Sequence, residues 1–496
     1  MPRHAGFAGT RRRLLAGVAG LAGGCGVPVA ARASLAWLAP SASGAAAATV
    51  TAPYTAEDLA HAARLRERAL GDGLAWQLAE SLCTEVGPRP AGSEADARAV
   101  AWALERLTRL GFSRVRADPI ELRVWQRGPG QARLTAPHAR ELVMTALGNS
   151  PPTPEGGLEG ELAYYPDFEA LRAERGERAR GRIVYIDQKM ARTVDGSGYG
   201  PAVRARVMGP MEAARRGALA LVIRSIGTDR DRVAHTGMMA VDPAQPVVPA
   251  AALSVPDAKL IERLHAAGAA LRLHLAIGAR QAVPARTHNV LAEVPGTDLA
   301  REIVLVGAHL DSWDVGQGAL DNAAGVAIVV AAAHQILALG RRPRRTVRVV
   351  LFANEENGLA GARAYAAAHR EEPHVLGLEA DFGDGRAWAL RTPDLADRPD
   401  PGAISPRWDP IARLLAPMGV VWQPDEPHGG ADLGPMHAAP PDGVAMPVAD
   451  VVQDGTRYFD LHHTANDVLT EVDRDSLDHA MRALLAVAYA ASLDVE

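Results

Sequence analysis

Five short stretches of this 496-residue chain carry side chains able to bind a metal or move a proton. His309-Leu310-Asp311 closes an apolar run at 303–308, the place where a side chain leaves a sheet and enters a crevice. Asp321 follows in Gly318-Ala319-Leu320-Asp321-Asn322, where a helical pattern begins. Asn354-Glu355-Glu356-Asn357-Gly358 comes directly after a second apolar run, 346–352. Glu379-Ala380-Asp381 and His462-His463-Thr464 complete the set.

Adjacent carboxylates repel, so Glu355 and Glu356 at one strand end need a cation nearby or must face apart. Two zinc ions satisfy the whole set. Zinc takes imidazole nitrogen and carboxylate oxygen and keeps a position open for water, and a pair ~3.5–4 Å apart needs a shared ligand. His309, Asp321 and Asp381 would hold one ion, with Asp321 bridging to a second held by Glu356 and His463. Glu355 then stays free to take the proton of a water brought to a pKa of ~7. Asp311 would accept the other N–H of His309 and fix its tautomer. Taken singly, each residue has an ordinary explanation: a loop hydrogen-bond pair, a helix cap, a solvated acid pair, a surface histidine. Their gathering at the predicted element ends of one α/β unit favours a shared site.

The elements that must position these groups are readable from pattern. Helical spacing dominates 55–111, broken by the rigid turn Val86-Gly87-Pro88-Arg89-Pro90, after which Ser93 can cap the next helix with Asp96 three residues on. Gly128-Pro129-Gly130 reads as a breaker. From 131 to 285 the pattern is short strands (182–186, 218–223, 251–255) and helices (210–216, 256–267), with no metal-ligand or nucleophile grouping. His235 is expected to be a structural hydrogen bonder there. After 285 the alternation becomes strand and helix: strands at 289–294, 303–308 and 346–352, and a helix over 322–339. The expected fold is α/β, a mixed, mostly parallel sheet flanked by helices, with a smaller β-rich inserted unit. The division is 1–48 export signal and linker, 49–130 first part of the catalytic domain, 131–285 insertion, and 286–496 main catalytic part.

Composition limits the function classes. Hydrophobic residues at 48% with 22% charged describe a chain that can bury a core, which excludes a disordered or fibrous protein. A net charge of −5 gives no general footprint for nucleic acid. The N-terminus has an export pattern: Arg3 and Arg11-Arg12-Arg13, an apolar segment from Leu14 to Ala22, and a small-residue cleavage site at Ala31-Arg32-Ala33, with a twin-arginine character that implies a periplasmic or extracellular destination. No later segment has the ~20 uninterrupted apolar residues of a membrane span. Of the two cysteines, Cys25 falls in the signal and Cys83 remains, so no internal disulfide is expected.

Gly307-Ala308-His309-Leu310-Asp311-Ser312-Trp313-Asp314, Gly318-Ala319-Leu320-Asp321, Glu355-Glu356 and His462-His463, in this order, resemble the co-catalytic zinc exopeptidases of the aminopeptidase and glutamate carboxypeptidase family. The likeness extends from about Thr55 to Leu493 and takes in Val86-Gly87-Pro88-Arg89, His235-Thr236-Gly237 and Gly429-Gly430-Ala431-Asp432. It implies two Zn2+ per chain on His309, Asp321, Glu356, Asp381 and His463, Glu355 as general base and Asp311 as the orienting partner. His463 is preferred over His462 because a histidine followed by Thr or Ser is the usual ligand form in the family. Asn322 departs from the second Asp that relatives often carry, which is expected to alter only local charge. The resemblance further implies that 131–285 is a protease-associated domain shaping access, a substrate of dipeptides or short peptides, and a homodimer. An aminopeptidase of longer peptides, an amidohydrolase of N-acylated amino acids, and a non-enzymatic receptor on the same scaffold are the competing expectations. No Gly-x-Ser-x-Gly elbow supports a serine hydrolase.

Overall fold

The computed structural model describes residues 54–393, 402–438 and 445–493. The expected export signal and Cys25 lie outside them. Eleven strands form one sheet. In chain order they are β1 Ser113–Ala136, β2 Arg140–Leu142, β3 Met144–Ala146, β4 Leu158–Tyr165, β5 Ile183–Ile186, β6 Ala220–Arg224, β7 Ala250–Leu253, β8 Arg272–Val294, β9 Leu299–His309, β10 Arg345–Phe352 and β11 His374–Glu379. The path runs β11-β9-β10-β8-β4-β5-β6-β7-β3, with β1 on β8 and β2 on β1.

The sheet has two halves stitched by one long ladder. β1 and β8 pair antiparallel from Ser113↔Glu293 to Ala136↔Arg272. The far end of β8 continues onto β10 and the near end onto β4. Both 130/131 and 285/286 therefore fall inside continuous strands. Gly128-Pro129-Gly130 does not end its element as the sequence suggests. The ladder shifts register between Arg127 and Gly130, and a Cβ on Gly128 would sit 2.7 Å from the backbone of Gly278 on the facing strand. Glycine is needed there because two backbones pass too closely for any side chain.

The half of the sheet built on β9 and its neighbours is parallel at its centre. β9, β10 and β11 run in the same direction, with Phe352 opposite His309 and Glu379 opposite Gly307. Their carboxyl ends consequently line one edge, where an α/β sheet presents its functional groups. Behind them lies helix Ala324–Leu337, buried along nearly its whole length and packed against helices Leu74–Ser81 and Arg474–Leu493. Its run of Ala, Val and Ile is apolar all round, as a helix enclosed on every side must be. Ala319–Leu337 is the one described stretch long and apolar enough to cross a membrane, and it is 89% buried in the protein core.

The opposite half has its own packing. β4, β5, β6 and β7 are mutually parallel, and two apolar clusters lie on their faces, one under Tyr185, Val222 and Leu273, the other under Val184, Leu221 and Leu171. The cap expected at Ser93 forms, with Ser93 accepting the N–H of Asp96 at the start of helix Glu94–Arg109. Ser254, expected to lie within a strand, instead caps helix Val255–Ala266 by accepting the N–H of Asp257. The helix expected over 322–339 starts later, at Ala324, because Asp321 and Asn322, joined by a cis peptide, have non-helical torsions in a wide turn, Ala319–Ala323.

Candidate metal centre

His309 ends β9, Glu355 and Glu356 follow β10, and Asp381 follows β11, so three parallel strands deliver four of the candidate residues to one edge. Asp321 arrives from the turn before the core helix. His463 comes from the segment after helix Tyr458–Leu461, held at a φ of 63°. His309, Asp321, Glu356 and His463 are buried, while Asp381 and Glu355 keep some exposure.

Asp321 lies between two groups. Its Oδ1 is 3.1 Å from His309 Nε2, which is also 3.1 Å from Asp381 Oδ1. Its Oδ2 is 3.2 Å from His463 Nε2, which is 3.1 Å from Glu356 Oε2. Ligand atoms bound at about 2.0–2.1 Å in a tetrahedron are about 3.3 Å apart, so these spacings are those of donors around an ion. His462 stacks on His463 with ring centroids 3.5 Å apart, and its Nε2 stands farther from Asp321 Oδ2, at 3.7 Å. Of the two, His463 is the one that also meets Glu356.

The chemistry of the donor set asks for cations. Burial, and then repulsion from Asp321, holds Glu356 far above the ordinary carboxylate range, and its Oε1 has no hydrogen-bond partner. Burial likewise raises Glu355, with Asp381, Glu356 and Asp321 adding to the rise and His309 opposing it. Burial works to lower His309, but Asp381 and Asp321 outweigh it and raise the imidazole well above its usual value. Four carboxylates sharing one buried edge are costly unless positive charge is supplied. The residues fit divalent zinc: donor atoms of His309, Asp321 and Asp381 cluster in one group and those of Asp321, His462 and His463 in another, Glu356 reaches the second through His463, and Glu355 belongs to neither.

Asp311 occupies the expected place with a different contact. Its main-chain carbonyl lies 3.0 Å from His309 Nδ1, whereas the carboxylate is 3.9 Å away, beyond hydrogen-bond reach. The carbonyl therefore fixes the His309 tautomer. The carboxylate instead accepts the main-chain N–H of Glu355 at 3.1 Å and so ties the Glu355 loop to the His309 loop.

Several supports escaped the sequence reading. Arg89, fully buried, donates from Nε to Leu310 O at 2.6 Å and from its two terminal nitrogens to Gln317 O and Gly318 O at 2.9 and 3.0 Å. It thereby clamps the loops on both sides of His309 and Asp321; a lone arginine between two prolines gave no sign of this. Asp467 accepts the N–H groups of Ala319, Leu320 and Asp321 at 2.9, 2.6 and 3.2 Å, shaping the turn that aims Asp321. Asn322 does more than change local charge: its Nδ2 donates to Ala380 O at 2.9 Å and its Oδ1 accepts Gly325 N–H at 3.0 Å. An aspartate could not make the first bond.

His235 is a structural hydrogen bonder as expected, fully buried, with Nδ1 2.8 Å from His462 O and Nε2 2.9 Å from Asp229 Oδ1. Cys83 is a free, buried thiol that desolvation pushes up to about 12. A cavity of about 190 Å3 adjoins Glu356 and Asp311 between Trp125 and Trp313.

Fold and donor chemistry together are those of a zinc-dependent metallopeptidase. Residues 289–488, which include every donor described above, match peptidase family M28. Carboxypeptidase Q of Mus musculus is 32% identical over 412 residues, 82% of this chain and 83% of that protein. The crystal structure of a peptidase M28 precursor from Shewanella amazonensis is 39% identical, covers 88% of this chain and 97% of its own, and superposes with a TM-score of 0.82. An aminopeptidase from Aneurinibacillus, at 19% identity and a TM-score of 0.60 over 88% of this chain and 97% of its own, shares the fold. The chain belongs to peptidase family M28, as a zinc exopeptidase similar to carboxypeptidase Q.

Proposed function

We propose that the chain hydrolyses dipeptides or short peptides with a free N-terminal amine, using two zinc ions, one on His309, Asp321 and Asp381 and one on Asp321, Glu356 and His463. The observation that carries this reading is the division of Asp321, whose two carboxylate oxygens face different histidines at 3.1 and 3.2 Å. Bound zinc supplies Lewis acidity, polarising a carbonyl and making water acidic near neutral pH.

The chain's own residues do the rest. Glu355 takes the proton of the attacking water and returns it to the leaving amine nitrogen as the peptide C–N bond breaks. Asp311 keeps Glu355 in place through the main-chain N–H, and the carbonyl of Asp311 presents His309 through Nε2. The cavity beside Glu356 and Asp311, lined by Trp125 and Trp313, is where a substrate side chain would sit. Residues 131–285 act as an inserted protease-associated unit beside the centre, and residues 1–48 direct export of a chain that assembles as a homodimer.

Glu355→Ala is expected to lower kcat by at least about 10^3-fold while two zinc ions remain bound. Near-normal turnover in that variant removes Glu355 from its role. Assay of the parent on dipeptides, longer peptides and N-acylated amino acids tests the substrate class; preference for either of the latter two overturns it.

A further inference from the structure

The segment that carries His463 is fastened to the other half of the molecule. Thr236 N–H donates to His463 O at 2.9 Å, and Thr228 N–H donates to Phe459 O at 3.0 Å. His235 holds the carbonyl of His462 from a buried contact with Asp229. Thr228 and Arg192 both bind the Asp460 carboxylate, at 2.8 and 2.6 Å.

One of these contacts reaches the imidazole itself. His463 Nδ1 is 3.3 Å from the main-chain oxygen of Thr236. Donation of Nδ1–H to that carbonyl leaves the lone pair on Nε2, the nitrogen that faces Asp321 and Glu356. The carbonyl is itself held by Arg206, whose Nη1 donates to it at 3.3 Å and lies 3.5 Å from His463 Nδ1. Arg206 is buried, and no carboxylate pairs with it among the described ion pairs. Its Nη2 donates to the Tyr199 hydroxyl at 2.6 Å, and its Nε has no partner. Burying an unpaired guanidinium is costly, so the site must gain from its position. Gly237, at a φ of 129°, leaves the space that Arg206 fills, and a Cβ there would collide with the guanidinium.

We propose that Arg206, acting through the Thr236 carbonyl and steadied by Tyr199, is a positioning residue for His463, so that residues 199–237 complete the Glu356/His463 half of the metal centre and leave the His309/Asp381 half untouched. This rests on the two-ion reading above.

Zinc binding by the full-length chain, measured by chelator competition with circular dichroism to follow folding, tests it. The parent should bind two ions. Arg206→Met should keep one at parental affinity and hold the other about 10- to 100-fold more weakly, the usual effect of losing an outer partner of a ligating histidine. In a His309→Ala background the remaining ion should weaken when Arg206→Met is added, and in a His463→Ala background it should not respond. Tyr199→Phe should cause a smaller loss of the same ion, and it decides the matter if Arg206→Met fails to fold. Unchanged binding of both ions, or parallel weakening of both, overturns the assignment. A parent chain that binds no more than one ion overturns the two-ion reading itself.

Discussion

His309 and His463 present the same atom, Nε2, to the same residue, Asp321, at nearly the same distance, yet what stands behind them differs. Behind His309 is the carbonyl of Asp311, two residues along the same chain, at the end of a central buried strand. Behind His463 is the carbonyl of Thr236, 227 residues away and contributed by the half of the sheet that holds no metal donor. One histidine is positioned by local geometry and the other by the docking of a distant loop. Strand ends bring His309, Asp381 and Glu356 to the site, while His463 is oriented from across the molecule and Asp321 is aimed by a turn that Asp467 and Arg89 hold.

The strongest way to break this contrast is to remove what the halves share. Asp321→Ala is expected to lower zinc content below one ion per chain and activity by at least about 10^3-fold, read by metal analysis and turnover of a dipeptide. Next come His309→Ala and His463→Ala, each expected to lose about one ion; indistinguishable affinities for the ion each retains would erase the contrast. Asp467→Ala leaves three buried N–H groups of the Asp321 turn without their acceptor. Chemical denaturation should show a loss of about 2–4 kcal/mol, together with weakened binding of both ions, since the turn serves both. The smallest effect is expected from Asn322→Asp, which loses the donation to Ala380 O beside Asp381: about 1–3 kcal/mol of stability and a perturbation confined to the His309/Asp381 half.

The same contrast explains what could be read from sequence. β9, β10, the donors at their ends and the Ser93 cap are legible because each rests on neighbours a few residues away, through a continuous apolar run, terminal placement or a capping hydroxyl. The donor residues were named by type and by their position at element ends, and the structure gathers all of them. The supports were not legible. Arg89, Asp467, Arg206 and the Thr236 carbonyl act across gaps of 146 to 257 residues, and a main-chain oxygen leaves no trace in residue identity. The Asp311 contact fell between these cases: its spacing from His309 was informative, but only coordinates show that the carbonyl, and not the carboxylate, meets the ring. At Gly128-Pro129-Gly130 the residue types that usually end a strand instead permit two backbones to pass closely within a ladder.

The β1–β8 ladder also sets a timetable for synthesis. Ala136 pairs with Arg272 and Ser113 with Glu293, so β1 leaves the ribosome long before the strand it needs. Until β8 emerges, the 24 residues that become β1 lack the partner that satisfies their backbone, and unpaired segments of this length are the ones through which nascent chains associate. The β1 sequence suits the wait: Arg114, Arg116, Asp118, Glu121, Arg123, Arg127 and Arg133 are spread along it, and Pro119 and Pro129 each remove a donor from the edge. Among these charges Arg127 is bonded in the finished fold to Asp314, Thr145 and Thr236, and closing this pairing over so long a loop is expected to slow folding, which stopped-flow refolding would read.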